Sequence, residues 1–133
     1  MSNLRGLAEV VLSVRDLDKS LRFYQDALGL QVISPPALKG AVFLQVGGAQ
    51  DIPHQLVLAP LPEGSPAFPR ERVQMQVRHY AIELDSGAFE NERERLQGLG
   101  LEVRYGEHPF LPLRSLYIDD PDGNEIELVA RQP

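Results

Sequence analysis

The 133-residue sequence contains no cysteine, no tryptophan and only three histidines. A chain without cysteine forms no disulfide, thiolate metal site or iron–sulfur cluster, and it has no thiol nucleophile. Its apolar runs, such as residues 55–61, are far shorter than the roughly 20 residues that span a bilayer. No signal-peptide pattern is visible at the N-terminus. Because the chain has 13 Lys+Arg and 19 Asp+Glu, a basic surface for nucleic acid is not expected. These absences predict a cytoplasmic protein with neither nucleic-acid nor membrane partners.

The composition is otherwise that of an ordinary globular protein, with 43% hydrophobic and 24% charged residues. A chain of this length is long enough to bury a hydrophobic core without disulfide bonds. We therefore predict a single domain over residues 1–133, made of module one (5–60), a linker (61–73) rich in proline, and module two (74–131).

The division into modules comes from an internal repeat. Residues 28–32 (LGLQV) match residues 99–103 (LGLEV) in four of five letters at an offset of 71. The apolar positions of residues 9–14 also match those of residues 79–84, at an offset of 70. Two similar half-domains of about 60 residues each are therefore expected, within the usual size of one domain.

Each half shows the same order of predicted elements. In the first half we predict strands at 8–14, 31–34, 41–46 and 55–59, and a helix from Asp16 or Asp18 to Leu28. In the second half we predict strands at 77–84, 102–105, 113–118 and 125–130, and a helix over 86–99. A glycine ends each helix, and the run DDPDGN at 119–124 is typical of a turn. The fold class is thus α+β, with two β-α-β-β-β modules.

Alternation along three strands places ionisable side chains on the face turned away from the helices. Glu9, His79 and Glu127 each occupy such a position. Tyr117, ten residues before Glu127, has the parity to share this face. Because buried unpaired charge is costly, these side chains need water, ionic partners or a metal.

Three segments together resemble the vicinal oxygen chelate superfamily: VVLSVRDLDKSLRFYQDALGL, RHYAIEL and DDPDGNEIEL. This group includes glyoxalase I, extradiol dioxygenases, fosfomycin-resistance transferases, methylmalonyl-CoA epimerase and bleomycin-resistance proteins. The resemblance implies paired modules, joined within one chain or between chains, whose cup-shaped mixed sheet surrounds a metal. It also implies a homodimer, in which the first-strand ligand can come from the partner chain.

By the same resemblance, the metal ligands are Glu9, His79 and Glu127, while Val57 stands at the fourth ligand position and cannot bind metal. The implied cofactor is a divalent transition metal (Zn, Ni, Mn or Fe). The implied function is lyase or isomerase chemistry on a small vicinally oxygenated substrate, through a metal-stabilised enolate. Glu127 or Glu9 would act as the base, and Tyr117 would position the substrate.

Two other functions stay open. Metal-free members of the bleomycin-resistance type sequester ligands, in which case the two glutamates are simply solvated and His79 pairs with one of them. An extradiol-type dioxygenase is the third possibility, although its usual first histidine is replaced here by Glu9. His54 and His108 lie in predicted loops, where a surface role is the simpler interpretation.

Overall fold

The computed structural model describes residues 6–47, 52–71, 74–75 and 77–133. It divides the chain into two compact units, Met1–Ser65 and Pro66–Pro133. Residues 5 and 72–73, at the predicted module and linker boundaries, lie outside the described ranges, and the single-domain interpretation stays a prediction. Within those ranges, no helix has both the length and the apolar character needed to cross a membrane.

In its described residues, the first unit is a four-stranded mixed sheet with one helical segment. Its elements are β1 (Glu9–Val14), α1 (Leu17–Arg22) continued by a π-helical turn (Phe23–Ala27), β2 (Gln31–Val32), β3 (Val42–Gln45) and β4 (Gln55–Pro60). The strand order is β1-β4-β3-β2. β1 runs parallel to β4, and the other neighbours are antiparallel.

The second unit repeats this order. Its elements are β5 (His79–Glu83), a 3-10 turn (Ser86–Ala88), α2 (Phe89–Gly98), β6 (Arg104–Glu107), β7 (Leu113–Asp119) and β8 (Glu125–Arg131). The strand order is β5-β8-β7-β6, with β5 parallel to β8 and the other pairs antiparallel. The predicted α+β class and the β-α-β-β-β modules are therefore confirmed.

The first helical segment begins at a predicted cap, and both segments are followed by the predicted glycine. Of the two candidate caps for α1, Asp16 is the one used, because its carboxylate accepts from the backbone N–H of Lys19 at 3.1 Å. Gly29 and Gly100 follow the two helical segments with φ of +68° and +84°. Few residues other than glycine adopt this backbone conformation easily.

On each sheet most of the buried apolar side chains share one face, although Val57 of the first unit is buried on the other. In the first unit the buried apolar side chains include Val14, Tyr24, Leu44, Leu56 and Leu58, and in the second they include Phe89, Leu96, Leu116, Ile118 and Ile126. Alternation along β8 leaves Glu125 and Glu127 on the opposite face of the sheet from Ile126 and Leu128.

Several predicted element boundaries were wrong by one to three residues. β6 covers Arg104–Glu107 rather than 102–105, since pairing with β7 begins only at Arg104, opposite Tyr117. β5 covers His79–Glu83 rather than 77–84, because its pairing with β8 starts at His79. The first turn of the predicted helix over 86–99 is a 3-10 turn. β2 ends at Val32 rather than at residue 34.

Candidate metal and substrate site

The site lies on the face of the second unit's sheet opposite the core. Directly paired residues of neighbouring strands point to the same face of a sheet. The register creates two adjacent rows on this face, one of Arg104, Tyr117, Glu127 and Ala81 and one of Asp119, Glu125 and His79. Five ionisable groups and a tyrosine are thus collected on a surface built from four strands.

The central contact joins His79 and Glu127. His79 Nε2 lies 3.2 Å from Glu127 Oε1, and the Glu127 side chain is only 14% exposed. The other carboxylate oxygen, Oε2, accepts a 2.5 Å hydrogen bond from the hydroxyl of Ser115, which is buried. Glu127 is therefore held at both oxygens, with one of them directed at the imidazole.

A second carboxylate faces the other nitrogen of the same imidazole. His79 Nδ1 lies 3.8 Å from Glu125 Oε1. Arg104 Nη2 donates to Glu125 Oε2 at 2.9 Å and to Asp119 Oδ1 at 2.7 Å. Partial burial lowers the pKa of the Arg104 guanidinium, but the hydrogen bonds to Asp119 and Glu125 and their negative charges together raise it above its usual value.

Tyr117 completes the polar cluster. Its ring meets the His79 ring edge-on, with centroids 6.0 Å apart. Burial raises the pKa of Tyr117 above its usual value, and the negative charge of Glu127 adds to the rise. The phenol therefore stays protonated at neutral pH and keeps a proton that it can donate.

The donor atoms fit two neighbouring positions around a divalent ion. Nitrogen and oxygen ligands lie roughly 2.0–2.2 Å from such an ion, so adjacent ligands are roughly 3 Å apart, close to the 3.2 Å between His79 Nε2 and Glu127 Oε1. A mixed imidazole and carboxylate set suits several transition metals. In the described part of the chain, no group of three or more His, Asp or Glu side chains is arranged to hold a metal.

Glu9, the third predicted ligand, belongs to the first unit. It opens β1, is exposed, and pairs with Gln55 as His79 pairs with Glu125 in the second unit. Val57 occupies the position that corresponds to Glu127, and it is 2% exposed. The role of Glu9 stays a prediction, whereas His79, Glu127 and Tyr117 lie together in one unit.

His108, one of the two histidines in predicted loops, has a local structural role. His108 Nδ1 accepts hydrogen bonds from the backbone N–H groups of Phe110 and Leu111, which orders the connection between β6 and β7. His54 is exposed in the connection before β4. Arg114 packs its guanidinium 3.9 Å from the centroid of the Phe89 ring, on the helix side of the sheet.

Three features of the site were missed in the sequence: the hydroxyl of Ser115 on Glu127, the ionic contacts of Arg104, and the close approach of Gly106 to Tyr117. A Cβ atom at Gly106 would lie 2.8 Å from Tyr117 Cε2. Strand parity points to Ser115, which is two residues before Tyr117. The position of Arg104 depends on its pairing with Tyr117 on β7, and the predicted strand 102–105 began two residues before that pairing.

The sequence is similar to those of known proteins over most of its length. A family model described as the Glyoxalase/Bleomycin resistance protein/Dioxygenase superfamily matches residues 6–128. Catechol-2,3-dioxygenase of Bacillus subtilis (strain 168) is 32% identical over 123 residues, which make up 92% of this chain and 40% of that protein. The chain thus spans less than half the length of that relative.

Solved structures show the same architecture. Lactoylglutathione lyase from Agrobacterium tumefaciens matches with a TM-score of 0.71 and 25% identity, over 97% of this chain and 96% of that one. A mutant of the fosfomycin resistance protein FosX from Listeria monocytogenes matches with a TM-score of 0.69 and 23% identity, over 94% and 89% of the two chains. That FosX structure holds Mn(II) and 1S,2S-dihydroxypropylphosphonic acid.

Proposed function

Because the chain belongs to the glyoxalase/bleomycin resistance protein/dioxygenase superfamily, we propose that it is a metal-dependent enzyme acting on a small substrate with vicinal oxygens. The proposed chemistry is that of a lyase or isomerase, in which a proton is moved at a carbon next to a substrate oxygen. The observation that carries this proposal is the 3.2 Å contact between His79 Nε2 and Glu127 Oε1, the spacing of two adjacent metal ligands.

His79 and Glu127 would hold the metal from the second unit, with Glu9 as the third ligand. Glu9 is proposed from its motif position and from its place at the start of β1, which corresponds to that of His79 at the start of β5. When bound, a divalent cation supplies Lewis-acid polarisation of the substrate oxygens. Which of Zn, Ni, Mn or Fe is used does not follow from the ligand set, since all accept nitrogen and oxygen donors.

The other residues would orient the substrate and move its proton. Tyr117, kept protonated by its raised pKa, would donate a hydrogen bond to a substrate oxygen that gains negative charge. Glu9 is the better candidate for the base, because both oxygens of Glu127 already have partners. As a metal ligand through one oxygen, Glu9 would keep its other oxygen for the substrate proton.

Metal analysis tests the proposal directly. The chain would be purified without a histidine tag, loaded in turn with Mn, Fe, Ni and Zn, freed of excess ion and assayed for metal content. We expect one metal ion per wild-type chain and its loss in both H79A and E127Q. Removing a ligand should weaken binding by more than the roughly 10–100-fold that loss of an outer-shell group costs.

Two matched variants serve as controls. H54A removes an exposed histidine from a loop, and E83Q removes a carboxylate from the strand that carries His79. Both should keep wild-type metal content. Unchanged stoichiometry in H79A and E127Q would contradict the proposal. Failure of the wild-type chain to bind any of the four metals would favour the metal-free sequestration function instead.

Extradiol dioxygenation is the second candidate, supported by the 32% identity to catechol-2,3-dioxygenase. Against it stands Glu9, a carboxylate where such enzymes place a histidine to complete two histidines and one carboxylate around iron. Ring-cleavage assays with catechols and ferrous iron separate this candidate from the first.

We also propose a cytoplasmic homodimer. The absence of cysteine is compatible with a reducing compartment. In the dimer, Glu9 of one protomer would serve the site that contains His79 and Glu127 of its partner; this arrangement rests on the family resemblance of the motifs.

A further inference from the structure

We propose that Glu125 is a positioning residue that fixes the orientation and tautomer of His79, and that Arg104 holds Glu125 in the required rotamer. This inference rests on the proposed function, because it concerns how His79 presents Nε2 to a metal. It adds two residues to the site that neither the motifs nor the family resemblance singled out.

The first support is that a different carboxylate lies near each of the two imidazole nitrogens of His79. Glu127 faces Nε2 at 3.2 Å, whereas Glu125 faces Nδ1 at 3.8 Å. With a metal held by Nε2 and Glu127, the proton of the neutral ring would be on Nδ1, and the negative charge of Glu125 on that side would favour this tautomer.

The second support is that the two carboxylate oxygens of Glu125 have different neighbours. Oε2 accepts from Arg104 at 2.9 Å, and Oε1 faces His79. Arg104 is in turn fixed by Asp119 at 2.7 Å. A carboxylate held by one oxygen cannot rotate freely, so its other oxygen stays directed at the imidazole. The Glu125 side chain is only 18% exposed, which limits screening of these charges by water and salt.

The third support comes from the first module, which builds the same sheet without these charges. Gln55 occupies the position that corresponds to Glu125, and Gln45 pairs with it as Asp119 pairs with Glu125. The side-chain amide of Gln55 donates to the carbonyl of Pro53. Since strand pairing does not require the ionic contacts, their presence beside His79 points to a role in the site.

The test compares Zn²⁺ affinity in the wild-type chain and in E125Q, by titration against a competing chelator. Glutamine keeps the size of the side chain and is tolerated at the corresponding position of the first module. We expect E125Q to bind Zn²⁺ about 10–100-fold more weakly, as is usual for loss of an outer-shell carboxylate. The control E83Q removes an exposed carboxylate from the same strand as His79 and should bind like wild type.

A second variant and a spectroscopic measurement keep the inference testable if E125Q is unstable. R104M should weaken Zn²⁺ binding less than E125Q, and adding R104M to E125Q should produce no further loss, because Arg104 acts through Glu125. In ¹⁵N spectra of the Zn²⁺-loaded wild-type chain, the His79 signal, identified with H79A, should show a protonated Nδ1 and a metal-bound Nε2. E125Q should shift the Nδ1 signal, whereas E83Q should not.

The outcomes separate this inference from the proposed function. If H79A loses the metal while E125Q binds Zn²⁺ as tightly as E83Q and keeps the wild-type ¹⁵N signals, the positioning role is wrong and the metal site stands. If the wild-type chain does not bind Zn²⁺ or any other of the four metals, both are wrong.

Discussion

Gly106 and the ring of Tyr117 lie next to each other on the second module's sheet. The space at each position therefore limits the side chain that the other can carry. Gly106 pairs with Ser115 on β7, and the ring of Tyr117 lies next to Gly106. A Cβ atom at Gly106 would approach Tyr117 Cε2 to 2.8 Å, closer than van der Waals contact allows. The glycine therefore provides space for the phenol ring.

We predict that G106A destabilises the protein by about 1–3 kcal/mol, the usual cost of overpacking. In the Y117A background the same change should be neutral or stabilising by up to about 1 kcal/mol, because alanine is preferred to glycine within a strand. Urea denaturation of the wild type, both single variants and the double variant measures this coupling. An equal cost of G106A in both backgrounds would show that the clash with Tyr117 is not the cause.

At the scale of elements, the turn between β7 and β8 sets the register that places Glu127 opposite Tyr117. Asp120 organises this turn and is 6% exposed. Its carboxylate accepts from the backbone N–H groups of Asp122 and Asn124 at 2.9 and 2.8 Å, and from the side-chain amide of Asn124 at 2.8 Å. One carboxylate thus satisfies three donors.

Replacing this carboxylate should cost stability. We predict that D120A lowers the free energy of unfolding by about 2–3 kcal/mol, because it removes hydrogen bonds to a charged acceptor and leaves partly buried donors unpaired. D120N keeps one oxygen for the backbone donors and suits such turns, so it should cost about half as much. Thermal and urea unfolding measure both variants, and equal losses for the two would argue against the hydrogen bonds as the source.

The same elements show how far the sequence predicts this structure. The repeat offset and the strand parity correctly place His79 and Glu127 on one face, since both are local properties of the chain. The start of β6 was wrong because Glu102 and Val103 have no partner on β7, and only pairing across strands decides where a strand begins. The hydroxyl contact from Ser115 to Glu127 depends on rotamers that a sequence does not specify.

At the scale of the whole molecule, two copies of one module carry different chemistry. Where the second module has Glu127, the first has Val57, which lies in register between Val11 on β1 and Phe43 on β3. Val57 is 2% exposed, whereas Val11 is 55% exposed. Both modules therefore have the same fold. At the position that they share, the second module has a carboxylate with His79 and Ser115 as partners, whereas the first has a valine.

This asymmetry predicts that the missing fourth ligand cannot be restored by a single change. V57E would place a carboxylate at a buried position whose neighbours in register are valine and phenylalanine. We expect a loss of about 3–5 kcal/mol in the free energy of unfolding, the range found for a buried charge without a partner. The matched variant V11E introduces the same side chain one strand away at an exposed position and should cost no more than about 1 kcal/mol. Urea denaturation at neutral pH compares the two. Wild-type stability of V57E would mean that water or a cation reaches this row of the first module, and the first module would then be a second candidate for metal binding.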